Sequence, residues 1–141
     1  MNPEVWGPKF WFVLHTIAMA YPLHPNSVSK KKYYEFIQNL PLFIPNARMG
    51  NYFAKLLDDC PLTPYLSSRT SFMKWVHFIH NKMNLYLDKS EISFAESLEH
   101  YYKHYEPKDI TKKQKIKERK RYIEIGIIIF FGIVVLYSAK K

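Results

Sequence analysis

The sequence predicts an all-α protein: a compact five-helix, four-helix-bundle-like domain followed by a C-terminal transmembrane helix. Three observations carry that expectation. Apolar and aromatic residues recur every three or four positions through most of the first hundred residues. No stretch alternates apolar with polar residues as a half-buried strand would. Prolines and capping residues cut the chain into segments of helical length. The chain also carries 11 Tyr, 10 Phe and 3 Trp, flat side chains that suit a small helical core or a pocket stacking on a planar ligand.

The first helix is expected to begin at Pro8, because proline suits the first helical turn. Trp11, Leu14, His15, Ala18 and Met19 then share one face. Tyr21-Pro22-Leu23-His24-Pro25 ends it, since a residue before proline is pushed out of the helical region. Ser27 or Ser29 is expected to cap a second helix reaching about Leu42, with Tyr33, Phe36, Ile37 and Leu40 inward. Pro45 breaks the chain, and Asn46 is the expected cap of a third helix carrying Met49, Tyr52, Phe53, Leu56 and Leu57. Cys60-Pro61-Leu62-Thr63-Pro64 reads as a turn-rich connection. A fourth helix runs from about Ser68 to Leu87, with Phe72, Trp75, Val76, Ile79, Met83 and Leu87 at helical spacing. Ser93-x-x-Glu96 fits a capping box and opens a fifth helix to about Tyr105.

The formal net charge of +9 is unevenly placed. Residues 1–107 hold 11 Lys/Arg against 9 Asp/Glu, and residues 108–141 hold 10 against 3. The excess belongs to a tail and not to a folded face, which argues against a nucleic-acid partner. The expected organisation is a helical domain over 1–107, a basic juxtamembrane segment over 108–121 and a transmembrane helix over 122–139. The core of that helix is the apolar run Ile125–Ala139, bracketed by Arg121 on one side and Lys140 and Lys141 on the other. A span wants about 20 residues with a lower limit near 17, so this one requires its flanking Lys and Arg to snorkel. Eight basic residues precede the run and two follow it. The bias of basic residues to the cytosolic side then holds the globular domain there, and the basic stretch meets anionic headgroups. The N-terminus has no basic region followed by an apolar run, so no signal peptide is expected.

Chemistry-bearing residues are few. Cys60 stands alone and cannot make an intramolecular disulfide or a Cys-x-x-Cys centre. His100 and His104 are one turn apart, but no third ligand accompanies them and no metal site is expected. Only four glycines are present, and none forms a phosphate loop. The most distinctive feature is polar. His77, His80, Asn81 and Asn84 share part of an otherwise apolar helix. Buried imidazoles and amides need partners, since an unpaired one costs on the order of 1–3 kcal/mol. A nucleotide is one source of partners; backbone and neighbouring helices are the other.

Three blocks in order resemble the Erv/Alr family of FAD-linked sulfhydryl oxidases, particularly its viral members. They are Trp6-Gly7-Pro8-x-x-Trp11-x-x-Leu14-His15-x-x-Ala18-x-x-Tyr21-Pro22, then Pro45 through Phe53, then Trp75-x-x-x-x-His80-Asn81-x-Met83-Asn84-x-x-Leu87-x-Lys89. Pro61-Leu62 and Ser68-Arg69 are similar to viral members too, and the resemblance covers roughly residues 3–102. It implies an FAD site formed by Trp6, Trp11, His15, Tyr52, Trp75, His80, Asn81, Asn84 and Lys89, with the Trp75/His80/Asn81/Asn84 face and the Trp11/His15 face enclosing a cavity. Tyr52 stands where many members have His. The resemblance also implies a redox Cys-x-x-Cys after Pro45, where this chain has Asn46 and Met49. His77 and Phe94 occupy the places of a further cysteine pair in cellular members. The thiolate is the nucleophile of this chemistry, and neither an amide nor a thioether replaces it.

The expected function is therefore that of a membrane-anchored, catalytically degenerate homologue with a structural role. The resemblance implies a virion protein of a large DNA virus, at an inner membrane, touching capsid or other membrane proteins. A homodimer through the first helices is also implied. The alternative is an active FAD-dependent oxidase that borrows a partner's cysteines.

Overall fold

A computed structural model of the chain describes residues 1–138. Among these the regular structure is helical, with α1 Pro3–Met19, α2 Ser27–Asn39, α3 Ala47–Asp59, α4 Arg69–Tyr86, α5 Phe94–Lys103 and α6 Lys108–Ser138. Two units separate along the chain, Met1–Tyr101 and Tyr102–Lys141.

α1 begins five residues before the expected start. Asn2 caps it, its Oδ1 accepting the Glu4 N–H at 2.9 Å, and Pro3 occupies the first turn where its missing N–H is harmless. Pro8 lies inside the helix. The one bond it forfeits would go to the carbonyl of Glu4, in an exposed first turn. The cap of α2 is Asn26 and neither of the expected serines: its Oδ1 accepts the Ser29 N–H at 2.8 Å. α2 also stops short of Leu42. Pro41 brings no N–H for the ladder, so Leu40–Phe43 tightens into a 3-10 turn. Asn46 caps α3 as expected, and Ser68 caps α4. Ser93 Oγ accepts the Glu96 N–H at 3.1 Å at the head of α5, which ends two residues short of Tyr105.

The core of the first unit gathers around Tyr21, which is fully buried. Its hydroxyl donates to the Leu66 carbonyl at 2.9 Å, and Arg69 Nε donates to its carbonyl oxygen. Its ring meets Tyr33 of α2 and Phe72 of α4 edge-on, at 4.6 and 5.1 Å between centroids. One aromatic residue thus ties the end of α1 to α2, to the 3-10 turn Thr63–Ser67 and to α4. α5 joins α1 through Tyr101, stacked on Phe12 at 5.2 Å with its hydroxyl 3.0 Å from Thr16 Oγ1.

The end of α4 fixes where the following residues point. Asp88 takes φ 56°, the left-handed conformation that closes a helix. The Lys89 N–H reaches back to the Asn84 carbonyl at 2.9 Å and the Asp88 N–H to that of Leu85 at 3.1 Å. This double closure is the Schellman arrangement.

In the second unit, the basic and apolar segments expected as separate pieces form one helix, α6. It is long and apolar enough over Lys113–Ser138 to cross a membrane. Ala139, Lys140 and Lys141, expected at its far end, lie outside the described residues.

Gly50 marks the tightest approach in the first unit. A Cβ there would lie 2.8 Å from the Pro41 carbonyl oxygen, a backbone atom that cannot step aside. Gly50→Ala is expected to destabilise the fold by about 1–3 kcal/mol. Gly7→Ala, where a Cβ meets nothing within 4 Å, is expected to be neutral or stabilising. Urea denaturation of the two full-length variants in detergent checks the contrast.

Candidate functional site

α1 and α4 pack face to face, and the side chains that meet between them are the ones the sequence singled out. Trp11 lies flat on His80, with ring centroids 4.1 Å apart and planes within 10°. His15 Nε2 is 3.1 Å from His80 Nδ1, a distance at which one ring donates and the other accepts. Phe53 of α3 closes the group from a third side, 6.3 Å from Trp11. The faces expected to enclose a cavity touch instead: at 4.1 Å no planar group fits between Trp11 and His80. A cavity of about 200 Å³ lies elsewhere, between α1 and α2, lined by Ile17, Lys32, Tyr33 and Phe36.

Burial gives these histidines their character. His80 is lowered to about 3, first by desolvation and then by the positive fields of His15, His77 and Lys89. His15 is lowered to about 4, by desolvation and then by His77. Both rings are neutral at physiological pH, each able to donate at one nitrogen and accept at the other.

The remaining predicted residues divide by what already occupies them. Trp75 is fully buried and its indole N–H donates to the Cys60 carbonyl at 3.1 Å, joining α4 to the end of α3. Asn81 is also committed. Its Nδ2 donates to the Ile92 carbonyl at 2.9 Å and its Oδ1 accepts the Ile92 N–H at 3.2 Å, as another peptide would. Asn81 therefore braces the α4–α5 connection. Tyr52 stacks on Tyr86 at 4.0 Å, linking α3 to the last turn of α4. Two others keep unused capacity. Asn84 is half-buried and makes one long side-chain bond, 3.5 Å from Nδ2 to Asn81 Oδ1. The Trp6 indole nitrogen is buried with no acceptor. Lys89 is exposed, close enough for His80 to feel its charge.

The two positions that the resemblance assigns to the redox dithiol begin α3. Asn46 Oδ1 accepts the Met49 N–H at 3.2 Å, and the Met49 side chain is buried in the core. His77 and Phe94, in the places of the second cysteine pair, meet edge to face at 5.4 Å and so join α4 to α5 without a covalent bond. Among the described residues no three His, Cys, Asp or Glu side chains gather as a metal site would require. Sequence reasoning missed Tyr86 and Ile92. Tyr86 had a signal, an aromatic three residues after the inward Met83; Ile92 lies in a connection and had none.

The sequence pattern of the Erv1/Alr family matches residues 8–106. The chain belongs to the Erv1/Alr family. Its relatives include proteins of large DNA viruses. One, named a "probable FAD-linked sulfhydryl oxidase" of Acanthamoeba polyphaga mimivirus, is 35% identical over 109 residues, covering 77% of this chain and 76% of that protein. The FAD-linked sulfhydryl oxidase of African swine fever virus (isolate Pig/Kenya/KEN-50/1950) is 33% identical over 91 residues, 64% of this chain and 75% of that one. The fold is that of the yeast Erv1 core from Saccharomyces cerevisiae, with a TM-score of 0.63 at 24% identity over 75% of this chain and 85% of the other. The FAD-binding domain of yeast Erv1 aligns equally well, at 0.63 and 25% identity over 73% and 92% of the chains. This Erv1/Alr chain thus places Trp11, His15 and His80 in one cluster on the family's fold.

Two outcomes are expected from this geometry. Unfolded, His15 and His80 titrate near the ordinary histidine value of about 6.5; folded, they stay neutral until about 4 and 3. The unfolded chain therefore binds more protons in between, and stability is lost as pH falls from about 6.5 towards 4. Urea midpoints measured across that range should fall more steeply for the wild type than for a His15→Leu/His80→Leu variant. Separately, Asn81→Leu strands the Ile92 peptide and is expected to cost about 1–3 kcal/mol, with faster hydrogen exchange at the Ile92 amide.

Proposed function

We propose that this protein is a catalytically retired Erv1/Alr member, anchored to a membrane through α6 and serving as a structural module of a large DNA virus. The observation that carries the reading is the start of α3. Asn46 is spent on capping the Met49 N–H, and Met49 is packed in the core. Neither side chain is a nucleophile, and Cys60, at the opposite end of α3, has no second thiol within the chain. Dithiol oxidation needs two thiols of one redox centre, so this chain does not carry it out alone.

The ligand site supports a second part of the reading, that FAD binding outlives catalysis. Trp6 holds a buried N–H in want of an acceptor, and Asn84 has spare amide capacity. His15 and His80 are neutral hydrogen-bonding rings, and Lys89 is an exposed ammonium able to pair with a phosphate. These residues supply hydrogen-bonding partners for a dinucleotide, whose flavin ring then stacks outside the Trp11–His80 pair, against the face of Tyr52 opposite Tyr86. Asn81 and Trp75 support the site from behind, through the Ile92 and Cys60 backbones. FAD is then a structural cofactor that stabilises the native state by mass action.

The basic half of α6 and its apolar half support a single-pass, C-terminal anchor. Eight basic residues before the apolar run and two after it hold the domain to the cytosolic side. Viral relatives support a place in the virion, at its inner membrane, against capsid or other membrane proteins or a second copy of this chain.

Oxygen consumption with dithiothreitol is expected to match that of a heat-killed sample. Turnover that Cys60→Ser abolishes would overturn the retired-enzyme reading. Added FAD is expected to raise the melting temperature of the wild type and to raise that of Asn84→Leu less. Equal response of the two, with no flavin released on denaturation, would remove the cofactor and leave only the scaffold.

A further inference from the structure

The length of the anchor makes a finer statement than its existence. α6 presents apolar side chains to every side: Ile127, Ile128, Phe130, Phe131, Ile133 and Leu136 are all at least half exposed. A helix lying along an interface keeps a polar face, and this one has none between Glu124 and Ser138. Crossing is the geometry that satisfies it.

Two rulers give the thickness it is built for. In the sequence Glu124 and Lys140 are the charges that bracket the run, with 15 residues between them, and any 15 helical residues rise about 23 Å at about 1.5 Å per residue. Tyr122 and Tyr137, exposed by 74% and 76%, are amphipathic rings of the kind that settle at headgroup level. They stand 15 residues apart, again about 23 Å. An average hydrocarbon core is about 30 Å thick, that of the endoplasmic reticulum about 27 Å and that of the plasma membrane about 32–33 Å. Tilting makes matters worse, because it shortens the projected length. Snorkelling helps at the lysines and arginines, but Glu124 has a short side chain and cannot reach far.

From this we infer that α6 is matched to a thin bilayer, and that membrane thickness selects where the protein resides. The inference rests on the anchor reading given above and adds the class of membrane to it. Mismatch costs fractions of a kcal/mol for each ångström, so a difference of several ångströms separates two membranes on the order of tenfold.

The test uses the full-length protein reconstituted into phosphatidylcholine vesicles with fourteen-carbon or twenty-two-carbon monounsaturated chains. The readout is the fraction that still floats with the vesicles after carbonate extraction. The expected result is retention by the short-chain vesicles and on the order of tenfold greater loss from the long-chain ones. A variant with four leucines inserted after Ile133, which adds about 6 Å of span, is expected to be held by both. Equal retention of the wild type in the two lipids overturns the thickness match while leaving the anchor standing. Release from both, with the lengthened variant retained, also overturns the match and shows the natural helix too short to anchor at all. Release of both proteins from both lipids overturns the anchor itself.

Discussion

Trp11 lying flat on His80 is the contact on which the first unit depends. Burying an imidazole is unfavourable unless its nitrogens find partners, and His15 supplies one across the same interface. The pair works only if α1 and α4 keep both register and rotation, because His15 and Trp11 are one turn apart on one helix and must meet a single ring on the other. Given that constraint, Phe53 has one place to pack and α3 follows it. The tyrosine knot around Tyr21 does the same for α2 at the other end.

The polar stripe on α4 serves two different ends. Asn81 looks inward, imitating a peptide to hold the connection to α5, whereas His80 meets Trp11 and His15 of α1 and Asn84 reaches only to Asn81. The chain closure at Asp88 then turns Lys89 back to the Asn84 carbonyl, which keeps a positive charge near His80. A short sequence thus builds the histidine cluster and the frame that steadies it.

How much of this was legible depends on how local each decision is. The caps at Asn46 and Ser93 could be read because a capping side chain finds its donor two or three residues away. The start of α1 was misread because two prolines compete for one first turn, and the Asn2 side chain decides between them. The grouping of Trp11, His15 and His80 was readable only through the resemblance, which sets the α1 and α4 blocks opposite each other. That the rings would touch, and that Asn81 would turn to Ile92, was not, since both follow from how closely the helices approach. The continuity of α6 was hidden by composition: a change from basic to apolar side chains reads as a boundary, but the backbone hydrogen bonds of a helix do not register it.

The cap at the start of α3 has a consequence for history as well as for structure. On the proposed reading, Asn46 entered a position that once held a thiol and took up a task there, holding the Met49 N–H. Met49 likewise fills core volume that a smaller side chain would leave empty. A lineage stepping back towards Cys at either place would first lose a cap or open a void, with no redox centre gained until both changes were made. On that reading the first turn of α3 acts as a ratchet: each single step home gives up a cap or packing before any redox centre returns.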